Sequence, residues 1–462
     1  MNTFSRRQIL KGISSATVLS QLRMMNSIAQ AATTTASDYK ALVCILLAGG
    51  NDGHNTVVPL TQADYNSYKI ARGGLALPDS NGPLAQVQTP DGTPYGLNPG
   101  LVHVQPLWTA GKLAVLANVG MLNQPVTRAQ YLNALSGVSL PTNLFSHSDQ
   151  VQQWQSGIGS SSGGTGWGGR ALDAVTAMNG TSLFPASVSL AGPSLFCTGA
   201  TIRTSSLFPG FDLDMAGMNL WPASATTARY QGVQNVITFD SGLKLVQAAN
   251  KSRKDAMDLN ALLVGNTAQV NSPFPATTIG DQLKQVAKII KLRTVTGMSR
   301  QVFFCTIGGF DTHASQSWQH WDLLNYLSDA MKAFYDATEQ ELQMPEKITT
   351  FTISDFGRTL QSNGGGSDHG WGSHHMIMGG AVNGGAMYGT FPTLVLGGPD
   401  DSGSRGALIP TTSHAQYGAT LAKWFGVDDT PAADPAQPTA LDLVFQDLKN
   451  FTARDLGFLS AS

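Results

Sequence analysis

Short, continuously apolar runs separated by helix-period patterns predict an α/β protein built on a mostly parallel sheet with helices on both faces. Residues 41–48 (ALVCILLA), 113–119 (LAVLANV), 302–307 (VFFCTI), 348–354 (ITTFTIS) and 375–378 read as strands buried on both sides. Helical patterns at 148–155, 169–177, 278–296, 318–341 and 414–425 fall between them, an alternation that implies crossover connections. Composition agrees: 42% hydrophobic and 13% charged residues with 50 glycines describe a folded, turn-rich chain rather than a disordered one.

From the amino terminus, residues 5–11 (SRRQILK) resemble a twin-arginine export motif, and an uncharged, mildly apolar stretch follows at 12–22. Ala29-Gln30-Ala31 then offers the small-x-small pattern of a signal peptidase site. The expectation is a signal peptide over 1–31 and a periplasmic or secreted domain over 32–462. Cleavage would remove Arg6, Arg7, Lys11 and Arg23 with no acid, taking the net charge from −2 to −6.

Sites in open α/β sheets lie beyond the carboxyl ends of strands. The first strand run leads into Gly49-Gly50-Asn51-Asp52-Gly53-His54, where Asp52 reads either as a turn residue or as a metal ligand. Ser146, in the sequence Phe145-Ser146-His147-Ser148-Asp149, reads as a helix N-cap or as a nucleophile favoured by the helix field and a nearby cation. The stretch 193–267 breaks the alternation and is expected to be an insertion or cap.

The run at 302–307 ends in Gly308-Gly309-Phe310-Asp311-Thr312-His313, where Asp311 and His313 can share one cation or merely begin a helix. The run at 348–354 ends in Asp355, a further candidate ligand. Arg358 follows, able to clamp an oxyanion or to pair with an acid. The loop 364–375 gathers Asp368, His369, His374 and His375 among glycines, and at least one of these histidines is expected to serve a metal or catalytic role. Altogether 23 of the 50 glycines fall within 53 residues around these turns, so backbone bends concentrate where the chemistry does.

Several function classes are excluded by what is missing. With 28 basic and 30 acidic residues and no basic cluster, no nucleic-acid face is expected. No run after the signal reaches the ~20 predominantly apolar residues of a membrane span. Cys44, Cys197 and Cys305 are too few for a disulfide framework, and Cys44 and Cys305 are expected to pack as small hydrophobes in core strands.

The segments 49–59 (GGNDGHNTVVP), 145–150 (FSHSDQ), 308–313 (GGFDTH), 354–359 (SDFGRT) and 366–372 (GSDHGWG) together resemble a large bacterial family. Its members are exported proteins of unknown function, family number 1501, with twin-arginine signals, placed in the alkaline phosphatase and sulfatase superfamily. The resemblance implies a three-layer α/β sandwich with a two-metal site holding divalent ions such as Zn, Ca, Mg or Mn. It implies Ser146 as nucleophile with Arg358 assisting, and metal ligands among Asp52, Asp311, His313, Asp355, Asp368 and His369. The sequence departs from the superfamily signature at Phe356, which stands where a metal-binding histidine belongs. The implied activity is hydrolysis of a phosphate or sulfate ester on a small molecule or glycan. The alternative is a non-catalytic exported protein that binds a divalent cation or surface glycan. A metal-free serine esterase ranks last, because no Gly-x-Ser-x-Gly elbow surrounds Ser146.

Overall fold

The computed structural model describes residues 38–460 apart from 79–83, 134, 160–163, 181–183, 210–217, 219, 266–268, 432–433 and 435–436. The export signal expected at 1–31 lies outside them. The strands of the main sheet and of the ribbon beside it are β1 (Lys40–Ala48), β2 (Leu113–Gly120), β3 (Ser187–Ser189), β4 (Ser205–Ser206), β5 (Arg300–Gly308), β6 (Ile348–Ser354), β7 (Arg358–Ser362), β8 (Ser367–His369), β9 (Ser373–Gly379), β10 (Met387–Tyr388) and β11 (Thr412–Ser413). Nine of these form one sheet in the order β10-β2-β9-β6-β1-β5-β3-β4, with β11 also on β2. β7 and β8 pair separately as an antiparallel ribbon.

The aliphatic run of β1 is buried along almost its whole length, as a central strand covered on both faces requires. Each large apolar side chain buried there stabilises the fold by about 1.5–3 kcal/mol. β1 runs parallel to β5 and to β6, and the registers Ala48↔Gly308 and Leu47↔Ser354 bring three carboxyl ends side by side. That alignment makes neighbours of residues 49–52, 309–313 and 355. Cys44 and Cys305 are buried in these strands as free thiols.

The helices that frame the sheet and its segment 226–265 are α1 (Gln62–Arg72), α2 (His147–Ser156), α3 (Trp167–Ala174), α4 (Thr226–Ile237), α5 (Lys244–Gly265), α6 (Thr278–Lys291), α7 (Gln316–Asp336), α8 (His414–Phe425) and α9 (Ala440–Val444). α6 shows why such segments are helical. Ile279, Leu283, Val286, Ala287 and Ile290 repeat on one buried face, and Thr277 Oγ1 caps the Gly280 N–H at 3.1 Å. α6 packs on α7, whereas α3, α8 and α9 pack on one another; β5 is touched by α6 and by α3. The sheet therefore lies between two helical layers. Among the described residues no helix is long and apolar enough to cross a membrane.

Two features differ from the simplest reading of the sequence. β9 runs antiparallel between β6 and β2, so the histidine-rich loop enters the sheet from the same edge at which β1, β5 and β6 end. A continuously apolar run looks the same in either direction, which is why its sense was not legible. Within 193–267, β4 extends the main sheet while α4 and α5 are helical. α4 buries no residue, so it carries no periodic apolar signal.

Buried histidines make the fold acid-sensitive. His375 sits between Trp154 and Tyr417, with ring centroids 5.1 and 5.9 Å away, and neither of its nitrogens has a partner among the described residues. Burial keeps the ring neutral and pushes its pKa down to about 3 from 6.5. The unfolded chain therefore takes up this proton first. The stability it confers is complete above pH 6.5 and is lost as pH falls toward 3. At pH 5 the loss from this one ring is about 2 kcal/mol. His375→Phe, which keeps the aromatic contacts, is expected to lower the midpoint of acid unfolding followed by tryptophan fluorescence. An unchanged midpoint would remove His375 from the acid response.

Candidate metal centre

The three aligned strand ends are pressed together by glycine. Gly49 and Gly50 adopt φ of 117° and 86°, and a Cβ on Gly49 would lie 2.4 Å from the Asp311 nitrogen. At Gly50 a Cβ would lie 2.6 Å from the Phe356 ring. Only glycine permits both the left-handed turn and this approach.

Asp52 follows this bend and is fully buried. Its carboxylate accepts from the His54 N–H at 3.1 Å, from Arg72 Nη2 and from Gln316 Nε2. Arg72, at the end of α1, is equally buried and also donates to Asn55 Oδ1 and to the Thr359 and Leu360 carbonyls. Burial pushes the Asp52 pKa up, but Arg72, with His320, His54 and Arg358, outweighs it and holds the group below the ordinary value. Asp52 thus sits in a buried ion pair that ties α1 and α7 to the end of β1.

Asp311 has a different setting. Its side chain is 47% exposed, and its Oδ1 accepts from Arg358 Nη1 at 2.7 Å. Arg358 is wholly buried and also donates to the Gly49 and Ser367 carbonyls, which fixes the guanidinium behind Asp311. Burial raises the Asp311 pKa, yet Arg358 and the neighbouring imidazoles bring it below the ordinary carboxylate value.

Three imidazole Nε2 atoms gather around this oxygen. His147 Nε2 is 3.5 Å from Asp311 Oδ1, His313 Nε2 is 3.1 Å from it and His369 Nε2 is 3.4 Å from it. His369 Nε2 lies 3.1 Å from each of the other two Nε2 atoms. The opposite nitrogen of every ring faces an acceptor. His147 Nδ1 is 2.7 Å from Asp355 Oδ2, His313 Nδ1 is 3.2 Å from Asp368 Oδ1, and His369 Nδ1 is 2.7 Å from the Phe145 carbonyl. A carbonyl or carboxylate oxygen can only accept, so in the neutral rings Nδ1 carries the hydrogen and Nε2 keeps its lone pair. Lone pairs thus converge where hydrogen bonds between the rings cannot form. This donor set fits a cation, because imidazoles fixed through Nδ1 by carboxylates or carbonyls are how proteins present nitrogen to a metal. Among the described residues, His147, Asp311 and His369 have ligand atoms all within 4.8 Å of one another.

The residues singled out in the sequence are therefore distributed among different tasks. Asp311, His313 and His369 meet at one place; Asp355 and Asp368 stand behind His147 and His313. Asp355 Oδ1 also accepts from the Gly49 N–H at 3.1 Å. Asp368 is further held by Asn363 Nδ2 and by Arg405. Asp52 is engaged with Arg72. The Asp355 hydrogen bond raises the His147 pKa, whereas burial lowers that of His369. Of the other two clustered histidines, His374 Nδ1 accepts from the Asn118 N–H at 3.0 Å, and His375 is in the core position described above. Phe356 is buried with its ring 4.7 Å from those of both His147 and His369, forming an apolar wall.

Ser146 precedes His147 at the start of α2, but its hydroxyl caps no helix N–H. It donates instead to Asp149 Oδ2 at 2.5 Å. His147 itself was missed by sequence reasoning, although it lies inside the quoted segment FSHSDQ. The available signal was the serine's own neighbour, a histidine at the first position of the helix.

Fold and site together define an α/β protein with a histidine-rich candidate cation centre at the carboxyl ends of its central strands. The chain matches the family described as "Protein of unknown function (DUF1501)" over residues 39–416, and it belongs to that family. No curated protein matches its sequence. Among solved structures it is similar to Ps i-CgsB, determined in complex with k-i-k-neocarrahexaose (10% identity, 89% of this chain and 77% of that one, TM-score 0.32). It is also similar to the PsFucS1 sulfatase from Pseudoalteromonas sp. (11%, 81% and 69%, TM-score 0.30). A third is the phosphonate monoester hydrolase SpPMH from Silicibacter pomeroyi (9%, 88% and 77%, TM-score 0.31).

Proposed function

We propose that the chain is an exported, metal-dependent hydrolase of phosphate or sulfate esters carried on a small molecule or glycan. The observation that carries this reading is the convergence of imidazole lone pairs on Asp311, with Ser146 preceding one of those histidines, His147, in the chain. A divalent cation bound there would lower the pKa of an adjacent hydroxyl or water and offset negative charge developing on oxygen. The chain's own groups have separable tasks. Ser146 Oγ attacks phosphorus or sulfur as its proton passes to Asp149, the bond to the alcohol oxygen breaks and the alcohol leaves with that proton, and a water then cleaves the Ser146 ester to release phosphate or sulfate and restore the hydroxyl. Arg358 holds Asp311 in place from behind, and Phe356 keeps that wall dry. Export by the twin-arginine route belongs to the same proposal, resting on residues 5–11.

Ser146→Ala is expected to lower turnover by more than about 10³-fold while bound metal is unchanged. A panel of aryl phosphate, phosphodiester and sulfate esters, assayed beside elemental analysis, checks it. Unchanged turnover in the variant would remove Ser146 from the mechanism. Wild-type protein that holds metal but turns over no ester would favour the second reading, a non-catalytic protein binding a cation or glycan. Phe356, which adds carbon rather than a ligand to the centre, is the observation on that side.

A further inference from the structure

We infer that the centre is mononuclear: one transition-type divalent cation held by His147 Nε2, Asp311 Oδ1 and His369 Nε2, with Asp355 and the Phe145 carbonyl as positioning groups. This rests on the reading that the centre holds a cation and is independent of ester hydrolysis. The three donors are mutually 3.1, 3.4 and 3.5 Å apart. A tetrahedral cation with bonds of about 2.0–2.1 Å spaces its donors at about 3.3 Å, so the set needs little movement to close on one ion. Two neutral imidazoles and one carboxylate suit Zn²⁺, Co²⁺, Ni²⁺ or Fe²⁺, whereas Mg²⁺ and Ca²⁺ prefer all-oxygen sites.

The surroundings argue against a second cation. Asp52, a carboxylate available to hold one, lies against the buried Arg72 guanidinium. Another cation beside it would meet a like charge out of water, where screening is weak. Asp355 already holds the His147 ring with one oxygen and the Gly49 N–H with the other, and Phe356 offers no donor. His313 Nε2 lies as close to Asp311 and His369, at 3.1 Å from each. Its ring is the more exposed of the two and is steadied at 3.2 Å by the part-exposed Asp368, whereas His147 is held at 2.7 Å by the buried Asp355. The better-oriented His147 is therefore the ligand, and His313 is the ring the ion can do without.

The test uses the purified full-length chain loaded separately with Zn²⁺, Co²⁺, Mg²⁺ and Ca²⁺, dialysed, and read by elemental analysis. One equivalent of Zn²⁺ or Co²⁺ per chain is expected, with Mg²⁺ and Ca²⁺ lost on dialysis. His147→Ala should lose the metal and, in the Co²⁺ form, the visible absorption of the bound ion. His313→Ala should keep both. Asp355→Asn, which preserves the volume and His147 itself, should weaken affinity about 10–100-fold. Its circular dichroism provides the control if His147→Ala fails to fold. Two equivalents per chain, a preference for Mg²⁺ or Ca²⁺, or full retention in His147→Ala would each overturn the inference. A retained cation with no ester turnover would overturn the hydrolase reading alone.

Discussion

Arg72→Met is expected to destabilise the folded chain by about 3–5 kcal/mol, because removing one partner of a buried ion pair leaves the other charge unpaired out of water. Arg72 is fully buried, and its guanidinium serves Asp52, Asn55 and two carbonyls of the segment 359–360. Methionine fills a similar stem volume, so the loss reports the charge rather than a cavity. Chemical denaturation of wild type and variant measures it. The double variant Arg72→Met, Asp52→Asn should recover part of the loss, since the stranded carboxylate is then neutral. If the two single losses merely add, Arg72 supports the fold by packing and not through Asp52.

Gly357→Ala is the second large effect, and it reaches the centre through the backbone. A Cβ at residue 357 would stand 2.0 Å from the Gly372 carbonyl oxygen. The two segments are tied there by Gly357 N to the Trp371 carbonyl at 2.8 Å and by Gly370 N to the Gly357 carbonyl at 2.7 Å. One segment carries Phe356 and Arg358, the other His369. A methyl group therefore forces apart the support of Asp311 and one of the proposed ligands. The expected cost is about 1–3 kcal/mol of overpacking or more. Metal affinity, measured by competition with a chelator, should fall with it, because displacing the groups that orient metal ligands typically weakens binding about 10–100-fold. Wild-type affinity in a folded variant would show that the ribbon tolerates the separation.

Much of the architecture was legible because burial writes itself into composition. The runs at 41–48, 113–119, 302–307 and 348–354 became β1, β2, β5 and β6, and glycine pairs marked the turns after the first and third of them. The helix expected at 414–425 is α8, which Ser413 begins with a reciprocal cap to Gln416. What escaped was pairing between distant residues. Nothing about Asp52 announces that its partner is Arg72 at the end of a helix 20 residues on, nor that Gln316 arrives from α7. His147 escaped for a subtler reason. Beside a serine at a helix start it looks like a spectator, and only the strand-end Asp355, 208 residues away, orients its ring toward Asp311. Asp355 and Asp368 illustrate the same limit, since a carboxylate at a strand end and a carboxylate behind a ligand have identical local sequence.

The two rings that meet 3.1 Å apart across the centre, His147 and His369, are separated by 222 residues of chain. Closing so long a loop is entropically slow, and the strand that ends at Asp355 and the ribbon that carries His369 must be placed before the two can face one another. The donor set therefore comes into existence late in folding rather than along the way. A cation captured by these atoms reports that the chain has finished folding, and its loss under mild stress should precede unfolding of the sheet.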